Sequence, residues 1–348
     1  MTMPSNILLS IIIPFFNSEE KSKRLLRTLG DFRAEDVEVI CVDDGSNDNT
    51  KEILESFQGE RKNVKLFFQE NQGPGGARNT GLSKARGDYV WFVDSDDDIN
   101  IEAIEVLRNL DRDSIDFIDF NILSKSREIN SLGLPAGDYL NRGAIRVSLL
   151  EKFGRICTKI IRRELIIRNR IFYLGDSVSD DNALSFVYPF FVKRFVKMDG
   201  VAYYHHEEHS SITRSKIGPR YFDRLNAAKC GYERGIVMAS DKAEELAIKK
   251  KFAGQYFFNT ARRLISIYDP KTTFIAVRVA RQYRVCAAKY GMARNPLVYR
   301  ACNRKLRLIL SVILISSYVL PDQTEYFRNM RLLAWGKDFP RFHRKLDG

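Results

Sequence analysis

The sequence predicts an α/β protein with a doubly wound, mostly parallel sheet and a C-terminal helical extension. Three observations predict it. Over about the first 100 residues, short β-branched apolar runs alternate with amphipathic segments, as strands alternate with crossover helices. Several of these runs end in polar loops, where open α/β sheets bind their ligands. Beyond residue 242, apolar residues recur at helical spacing.

The front strands are predicted from continuous apolar runs, which indicate burial on both faces of a sheet. The first run, residues 7–13, is expected to end at Pro14 because proline has no N–H to donate. The next predicted strands are 37–42, 64–68, 89–93 and 116–122, with helices between them, and a polar loop or hairpin over 124–145.

The stretch 87–99 joins a buried strand to a cluster of acids, and the rest of the prediction depends on it. The acids are Asp94, Asp96, Asp97 and Asp98. Such carboxylates repel one another unless a cation lies among them or water screens them. Mg²⁺ and Mn²⁺ prefer oxygen ligands, with substrate phosphate completing their coordination shell. The alternative is a solvated acidic turn that caps the next helix.

Two other strand ends carry polar loops. Asp43-Asp44-Gly45-Ser46 offers carboxylates to a base imide or a ribose hydroxyl; the alternative is a helix cap with a turn glycine. The glycine-rich stretch 71–81 lets backbone N–H groups approach a phosphate, and Arg78 adds a fork-shaped cation. It is neither a Walker loop nor the Gly-x-Gly-x-x-Gly of nicotinamide and flavin enzymes.

Composition narrows the class of protein. The chain has 348 residues, 44% of them hydrophobic and 29% charged, as in globular proteins. Its five cysteines are scattered without a Cys-x-x-Cys, so we expect no disulfide framework, no zinc site and a reducing compartment. The start of the chain lacks a signal-peptide pattern, and no stretch reaches the roughly 18 apolar residues of a membrane span.

Charge is distributed unevenly. Residues 201–348 carry 28 Lys and Arg against 12 Asp and Glu, a net charge of +16, which leaves −4 for residues 1–200. A basic C-terminal half suits an anionic lipid, a nucleic acid or an acidic ligand. Because no nucleic-acid-binding module is recognisable, we expect no nucleic-acid partner.

Four motifs, in this order, resemble the inverting family 2 glycosyltransferases of the GT-A fold. They are 10–17 (SIIIPFFN), 42–46 (VDDGS), Asn71-x-Gly73 with Ala77-Arg78-Asn79-x-Gly81, and 87–97 (GDYVWFVDSDD). The resemblance implies a nucleoside-diphosphate sugar as donor, with a UDP-sugar favoured. It also implies a divalent metal, Mn²⁺ or Mg²⁺. The product would be an extended glycan or lipid-linked acceptor.

The resemblance also implies roles for individual residues. Asp96, in the family's Asp-x-Asp motif, would ligate the metal, and Asp94 would help to hold the ribose or the metal. Asp44 would read the base, beside a main-chain turn at Pro14, and Arg78 would lie near the nucleotide. Independently of the resemblance, we expect Asp97 and Asp98 only to cap the next helix.

An inverting transfer needs a general base on the opposite face of the sugar. The family usually has Glu-Asp followed by an aromatic residue, whereas this chain has Asp180-Asp181 with Leu184 at the aromatic position. We predict Asp181 as the base and Asp180 as a substrate-binding neighbour, with Asp180 or Asp176 as alternatives for the base. A plain helix start, with acids at the favourable end of the dipole, is the structural alternative.

Three histidines follow within five residues: His205, His206 and His209. A zinc site is not favoured, because zinc ligands need fixed spacing and acids compete in this loop. We expect the histidines to be exposed or to face the diphosphate.

The prediction for the whole chain has two parts. Residues 1–215 form the catalytic domain, with nucleotide-sugar binding in 1–100 and the acceptor side in 101–215. Residues 216–348 form a basic helical region, in which 301–348 has the pattern of an interfacial helix; packing on the catalytic domain or on a homodimer partner is the alternative.

The predicted function is metal-dependent, inverting hexosyl or N-acetylhexosaminyl transfer in surface polysaccharide synthesis. We expect a cytoplasmic enzyme, peripheral on the inner face of the membrane. Two alternatives belong to other classes: a nucleotide-sugar-binding protein without transfer activity, and a sugar-phosphate nucleotidyltransferase. In the latter, the glycine-rich phosphate loop should follow the first strand, where this chain has Pro14-Phe15-Phe16-Asn17.

Overall fold

The computed structural model describes residues 7–258, apart from 31, 33, 60, 113, 176–180 and 207–222. The chain divides into two compact units. The first unit comprises Met1–Arg214 and Ala227–Lys251, and the second comprises Ser215–Asn226 and Phe252–Gly348. The site discussed below lies in the first unit.

Ten strands and ten α-helices follow in chain order. The strands are β1 Leu9–Phe15, β2 Val37–Asp43, β3 Val64–Phe68, β4 Tyr89–Phe92, β5 Asp98–Ile99, β6 Phe117–Ser124, β7 Arg127–Ile129, β8 Gly137–Leu140, β9 Lys159–Arg162 and β10 Arg194–His205. The helices are α1 Lys23–Gly30, α2 Thr50–Gln58, α3 Gly73–Lys84, α4 Glu102–Asn109, α5 Gly143–Lys152, α6 Arg163–Arg168, α7 Asp181–Leu184, α8 Tyr188–Phe191, α9 Asp223–Ile236 and α10 Lys242–Phe252. These counts refer to the described residues, which also contain a 3₁₀ turn, Ile156–Thr158, and a π-helical segment, Ala253–Phe258.

The strands form one mixed sheet in the order β3-β2-β1-β4-β9-β6-β10-β5, with β7 paired to β6 and β8 to β10. The front strands β3, β2, β1 and β4 are parallel, as predicted. Antiparallel pairing begins at β9, which lies between β4 and β6. Because β1 to β4 run the same way, their carboxyl ends meet at one edge, and the polar loops gather there.

The prediction that the first strand ends at Pro14 is wrong. Pro14 lies inside β1 and is paired with Val42 of β2. On the other side, β4 pairs with β1 only as far as Ile12, whose carbonyl oxygen accepts from the Val93 N–H at 3.0 Å. The nitrogen of Pro14, two residues further along, points to that same side, beyond the end of β4. Proline is tolerated there because no ladder hydrogen bond is lost.

The buried strand β4 is held tightly to its neighbours. The Trp91 side chain is completely buried, and its indole N–H donates to the Cys157 carbonyl at 2.7 Å. Just before β4, Gly87 approaches β1 so closely that a Cβ would lie 2.6 Å from the Ser10 nitrogen. Only glycine fits at this position, which sets the distance between β4 and β1.

The C-terminal helix of the first unit is docked by charge pairs. On α10, Glu244 pairs with Arg146 of α5, and Lys250 pairs with Glu151 of the same helix at 2.8 Å. Within the described residues, none of the helices is both long and apolar enough to cross a bilayer.

Candidate active site

Asp44 directly follows β2, and its side chain is buried. Its carboxylate accepts hydrogen bonds from the Gln69 side chain at 2.7 Å and from the Gln72 N–H at 2.9 Å. Burial raises the pKa of Asp44, although these hydrogen bonds act in the opposite direction. A fixed, partly desolvated acceptor of this kind can select a ligand that carries an N–H or O–H donor.

The turn expected at Pro14 lies further along, at Asn17. This residue has a left-handed backbone, with φ of 46°. Its N–H donates to the Ser46 hydroxyl at 3.0 Å, and its side-chain oxygen accepts from the Asn47 N–H at 2.8 Å. Asparagine tolerates this conformation better than most residues do. The loops after β1 and β2 are therefore built as one surface beside Asp44.

A pair of buried serines connects that surface to the acidic cluster. The Ser18 and Ser95 hydroxyls lie 3.1 Å apart, and the Ser18 N–H donates to Thr50 at 2.8 Å. Ser95 is the residue between Asp94 and Asp96. The Asp-Ser-Asp loop is thus held in register with the loop after β1.

Arg78 and Asp94 form a hydrogen-bonded ion pair between α3 and the end of β4. Burial by itself would lower the pKa of Arg78. The Asp94 carboxylate more than offsets this effect, so the pKa is raised and the guanidinium stays charged. Gly81, on the same helix, lets α3 approach β1, since a Cβ there would collide with Ile12. The small residues of this motif therefore serve to bring Arg78 to the strand ends.

Tyr173 is a part of the site that the sequence did not predict. The carbon of the Arg78 guanidinium lies 5.2 Å from the centre of the Tyr173 ring, within reach of a cation–π interaction. The Tyr173 ring also packs edge-on against Phe92 of β4, with centroids 5.3 Å apart. Asn79, the residue after Arg78, bonds to the Tyr173 backbone. The Arg-Asn pair in the motif was the available signal for this contact.

Asp96 and Asp97 have different environments. Burial raises the pKa of Asp96 to about 6, and the Asp94 and Asp97 carboxylates add to the effect. Asp97 is nearly fully buried. Its carboxylate accepts hydrogen bonds from the Tyr203 hydroxyl at 2.7 Å and from the backbone N–H of His206 at 2.9 Å. It also contacts Nδ1 of His205 at 2.9 Å.

The prediction that Asp97 only caps a helix is therefore wrong. Its carboxylate fixes the end of β10, because the buried Tyr203 hydroxyl needs an acceptor there. Tyr203 also accepts from the Asp94 N–H at 3.1 Å. Asp98 begins β5 and bonds to the Ile99 N–H at 2.9 Å.

Asp181 begins α7 and shares the electrostatic environment of Arg78. Burial raises the pKa of Asp181, the Arg78 guanidinium opposes that shift, and the Asp94 carboxylate adds to it. The charge of Arg155 also lowers the pKa of Asp181. The backbone of Arg155 is left-handed, with φ of 45°. A carboxylate with a raised pKa is a better proton acceptor than an ordinary aspartate.

The structure brings together Asp44, Arg78, Asp94, Asp96 and Asp181 at the carboxyl edge of the sheet, with Pro14 in the adjoining strand. Asp180, Asp176 and His209 lie outside the described residues. His205 is not simply exposed, since it contacts Asp97. Burial lowers the pKa of His206.

The residues of this edge fit a substrate-completed cation site better than an all-protein one. Within the part of the chain that the structure describes, no group of three or more His, Cys, Asp or Glu could hold a metal ion. Mg²⁺ in nucleotide sites is usually held by one or two carboxylates together with phosphates and waters. Asp96 suits that role, because the Asp94 and Asp97 carboxylates, which add to the effect of burial on its pKa, also favour a cation.

With this geometry established, the chain can be compared with known proteins. Residues 10–169 match the family model described as Glycosyl transferase family 2. The chain carries a family 2 glycosyltransferase domain. That match spans β1 to α6 and includes Asp44, Arg78 and Asp96, whereas Asp181 lies beyond its end.

Curated relatives match this chain over only part of their own length. Cholesterol galactosyltransferase of Borreliella burgdorferi is 33% identical over 184 residues, which is 47% of this chain and 50% of the relative. Poly(ribitol-phosphate) beta-N-acetylglucosaminyltransferase TarS of Staphylococcus aureus is 34% identical over 186 residues, 50% of this chain and 31% of the relative. The chain thus spans half or less of these relatives.

A solved structure extends the likeness in fold beyond the family 2 domain. The structure of S. aureus TarS 1-349 in complex with UDP-GlcNAc matches with a TM-score of 0.66 and 23% identity. The match covers 89% of this chain and 88% of that chain. The predicted GT-A type α/β fold is confirmed.

Proposed function

We propose that the protein is a metal-dependent, inverting glycosyltransferase. It transfers a hexosyl or N-acetylhexosaminyl group from a UDP-sugar to a hydroxyl of a glycan or lipid-linked acceptor in surface polysaccharide synthesis. The relatives named above are a galactosyltransferase and an N-acetylglucosaminyltransferase, which supports this class of reaction.

The observation that carries the proposal is the charge arrangement around Arg78. The guanidinium is paired with Asp94 and lies in the field of Asp181. A cation between two carboxylates suits a substrate whose leaving group is anionic and whose acceptor must lose a proton. A binding protein would need the first of these features but not a base with a raised pKa.

The donor would lie along the carboxyl edge of the sheet. Asp44 accepts from the imide N–H of a uracil, beside the loop after Pro14. Asp94 accepts from a ribose hydroxyl, and Arg78 directs its remaining donors towards the diphosphate. A bound Mn²⁺ or Mg²⁺, held by Asp96, would supply Lewis-acid stabilisation of the leaving diphosphate.

The proposed transfer needs no reactant other than the donor and the acceptor. The acceptor hydroxyl oxygen attacks the anomeric carbon from the face opposite the diphosphate and forms the new C–O bond. The bond from the anomeric carbon to the phosphate oxygen breaks, and its electrons leave with UDP. Asp181 takes the acceptor proton. The configuration at the anomeric carbon inverts because the attack comes from the face opposite the leaving group. Asp180 is assigned to the same acceptor-side surface as a substrate-binding residue.

The proposal is tested by Asp96→Ala and Asp181→Asn. With Mn²⁺ and a panel of UDP-sugars, we expect each variant to lose transfer by about 10²-fold or more. Asp181→Asn should still bind UDP, because the proposal assigns its carboxylate to the acceptor hydroxyl and not to the nucleotide. The exposed Asp111 supplies a matched control, Asp111→Asn, which should keep full activity.

Three results would contradict the proposal in different ways. Full transfer by both variants would show that the roles are wrong. Donor binding without turnover on any acceptor would favour a nucleotide-sugar-binding protein. Release of pyrophosphate from a nucleoside triphosphate would favour a nucleotidyltransferase.

We also propose that the enzyme works in the cytoplasm at the inner face of the membrane, through residues 301–348, which lie outside the described residues. The pattern of aromatic and basic residues there supports the idea. Flotation of the full chain with anionic vesicles should be reduced by Phe327→Asp. Equal flotation, together with a dimer that Phe327→Asp dissociates, would favour the homodimer alternative.

A further inference from the structure

Lys251, at the end of α10, is almost completely buried although it carries an amine. Its Nζ donates to the Ser185 carbonyl at 2.7 Å and to the Phe153 carbonyl at 2.6 Å, and it lies 5.1 Å from the centre of the Phe186 ring. Burial lowers the pKa of Lys251, and Lys159 acts in the same direction, whereas Asp181 opposes it. Burying a lysine amine costs free energy, so its position between these two carbonyl groups needs an explanation.

The first of those carbonyls leads directly to Asp181. Ser185 follows α7, and its N–H donates to the Asp181 carbonyl at 2.9 Å. A line of hydrogen bonds therefore runs from Lys251 through Ser185 to the backbone of Asp181. Because α7 is only four residues long, it has little stability of its own and depends on such contacts.

The second carbonyl belongs to a short arch, residues 153–155. Lys251 holds its beginning at Phe153, and the buried Lys159 donates to the Gly154 carbonyl at 2.8 Å. The arch ends at Arg155, whose positive charge lowers the pKa of Asp181. Lys251 thus joins the two segments that approach Asp181 from different parts of the chain.

Helix α9 supports α7 from the same side. Gly231 lies against α7 so closely that a Cβ would be 2.7 Å from the Ala183 carbonyl oxygen. Gly235 leaves similar room for Phe186. The segment 227–251, which lies well beyond the family match, therefore packs directly behind the helix that carries Asp181.

We propose that Lys251 is a positioning residue for glycosyl transfer: it fixes α7 and the 153–155 arch so that Asp181 faces Arg78 and Asp94. The inference rests on the proposed function. It makes the C-terminal helices of the first unit a part of the active site, through contacts with the main chain and not with substrate.

The test uses the full chain with Lys251→Met, which keeps the apolar stem and removes both hydrogen bonds of the amine. We expect kcat for sugar transfer to fall by about tenfold or more, since misplacing a reacting group by about 1 Å can cost 10²-fold. The Kd for UDP and the KM for donor should stay within about twofold of the parent. Lys251→Arg, which retains donors, should recover much of kcat.

Lys250→Met is the matched control. Lys250 is the preceding residue on α10 and forms a partly exposed pair with Glu151. This variant should leave kcat and donor KM unchanged. A double variant, Lys251→Met with Asp181→Asn, should transfer no more slowly than Asp181→Asn alone, because residues that act as a unit are not additive.

Hydrogen exchange separates this inference from the proposed function. In Lys251→Met, amides of residues 181–190 should exchange faster, and in Lys250→Met they should not. Unchanged kcat, or unchanged exchange, in Lys251→Met would overturn the positioning role. If Lys251→Met does not fold, the same measurements are made on Lys251→Gln, and the same outcomes decide whether Lys251 is a positioning residue. A parent without transfer would refute the proposed function, and exchange alone would then decide the role of Lys251.

Discussion

Asn79 and Tyr173 hold each other through two hydrogen bonds, each 3.0 Å long. The Asn79 side-chain N–H donates to the Tyr173 carbonyl, and the Tyr173 N–H donates to the Asn79 side-chain oxygen. The two residues are 94 positions apart in the chain. This clamp connects α3 to the segment ahead of α7 and places the Tyr173 ring beneath Arg78.

The clamp predicts the effect of Asn79→Ala. Both backbone groups of Tyr173 lose their partner, which should lower the free energy of unfolding by about 1–3 kcal/mol. The Tyr173 ring then supports Arg78 less well, so the donor KM should rise. Urea denaturation and steady-state kinetics measure both. Ser83→Ala, an exposed change on the same helix, is the control, and equal values for the two variants would contradict the role of the clamp.

Arg78→Lys tests whether the geometry of the guanidinium matters as well as its charge. Arg78 both pairs with Asp94 and lies over Tyr173. Lysine is a point charge without the planar fork and cannot keep both contacts together with a diphosphate. We expect the Kd for UDP, measured by calorimetry with Mn²⁺ present, to rise about tenfold, which is 1.4 kcal/mol. Binding within twofold of the parent would show that charge alone is sufficient.

The raised pKa of Asp181 predicts a pH dependence. A base must be ionised, so kcat should fall as the pH falls through the pKa of Asp181, at a pH above the ordinary value of 3.8. Asp96 is a second acid of the site whose pKa is raised, to about 6, chiefly by burial. Its effect should weaken as the Mn²⁺ concentration rises, whereas the Asp181 limb of the kcat profile should not move. A limb that disappears at high Mn²⁺ would assign the profile to Asp96.

Local pattern was sufficient to predict the front of the fold. The strands β2, β3 and β4 are short apolar runs bounded by polar loops, and their sequences alone carry that signal. Pro14 shows the limit, because its place inside β1 depends on where the neighbouring strand β4 ends. That is a property of the sheet and not of the segment.

The site was predictable where residues are contiguous in a motif and not where contacts join distant segments. Asp44, Arg78 and Asp96 each stand in a recognisable local pattern. Tyr173 and Lys251 do not, since each acts through contacts with residues far away in the chain. Asp97 was misassigned for the same reason: its partner Tyr203 is 106 residues distant, and an acid after a strand fits a helix cap equally well.

Glu38, a buried carboxylate in β2, predicts how stability depends on pH. Burial opposes its ionisation, but hydrogen bonds from the Arg86 N–H and the Ser10 hydroxyl, with the Lys65 amine, lower its pKa below 4.5. A lowered folded-state pKa contributes stability above about pH 4.5, which is lost as the pH falls through the folded value. Glu38→Gln should therefore be less stable than the parent at pH 7, by about 1–3 kcal/mol, and the gap should narrow below pH 4.5. Thermal unfolding from pH 7 to pH 3 measures it, with the exposed Glu52→Gln as control. A gap independent of pH would mean that Glu38 contributes through packing and not through its charge.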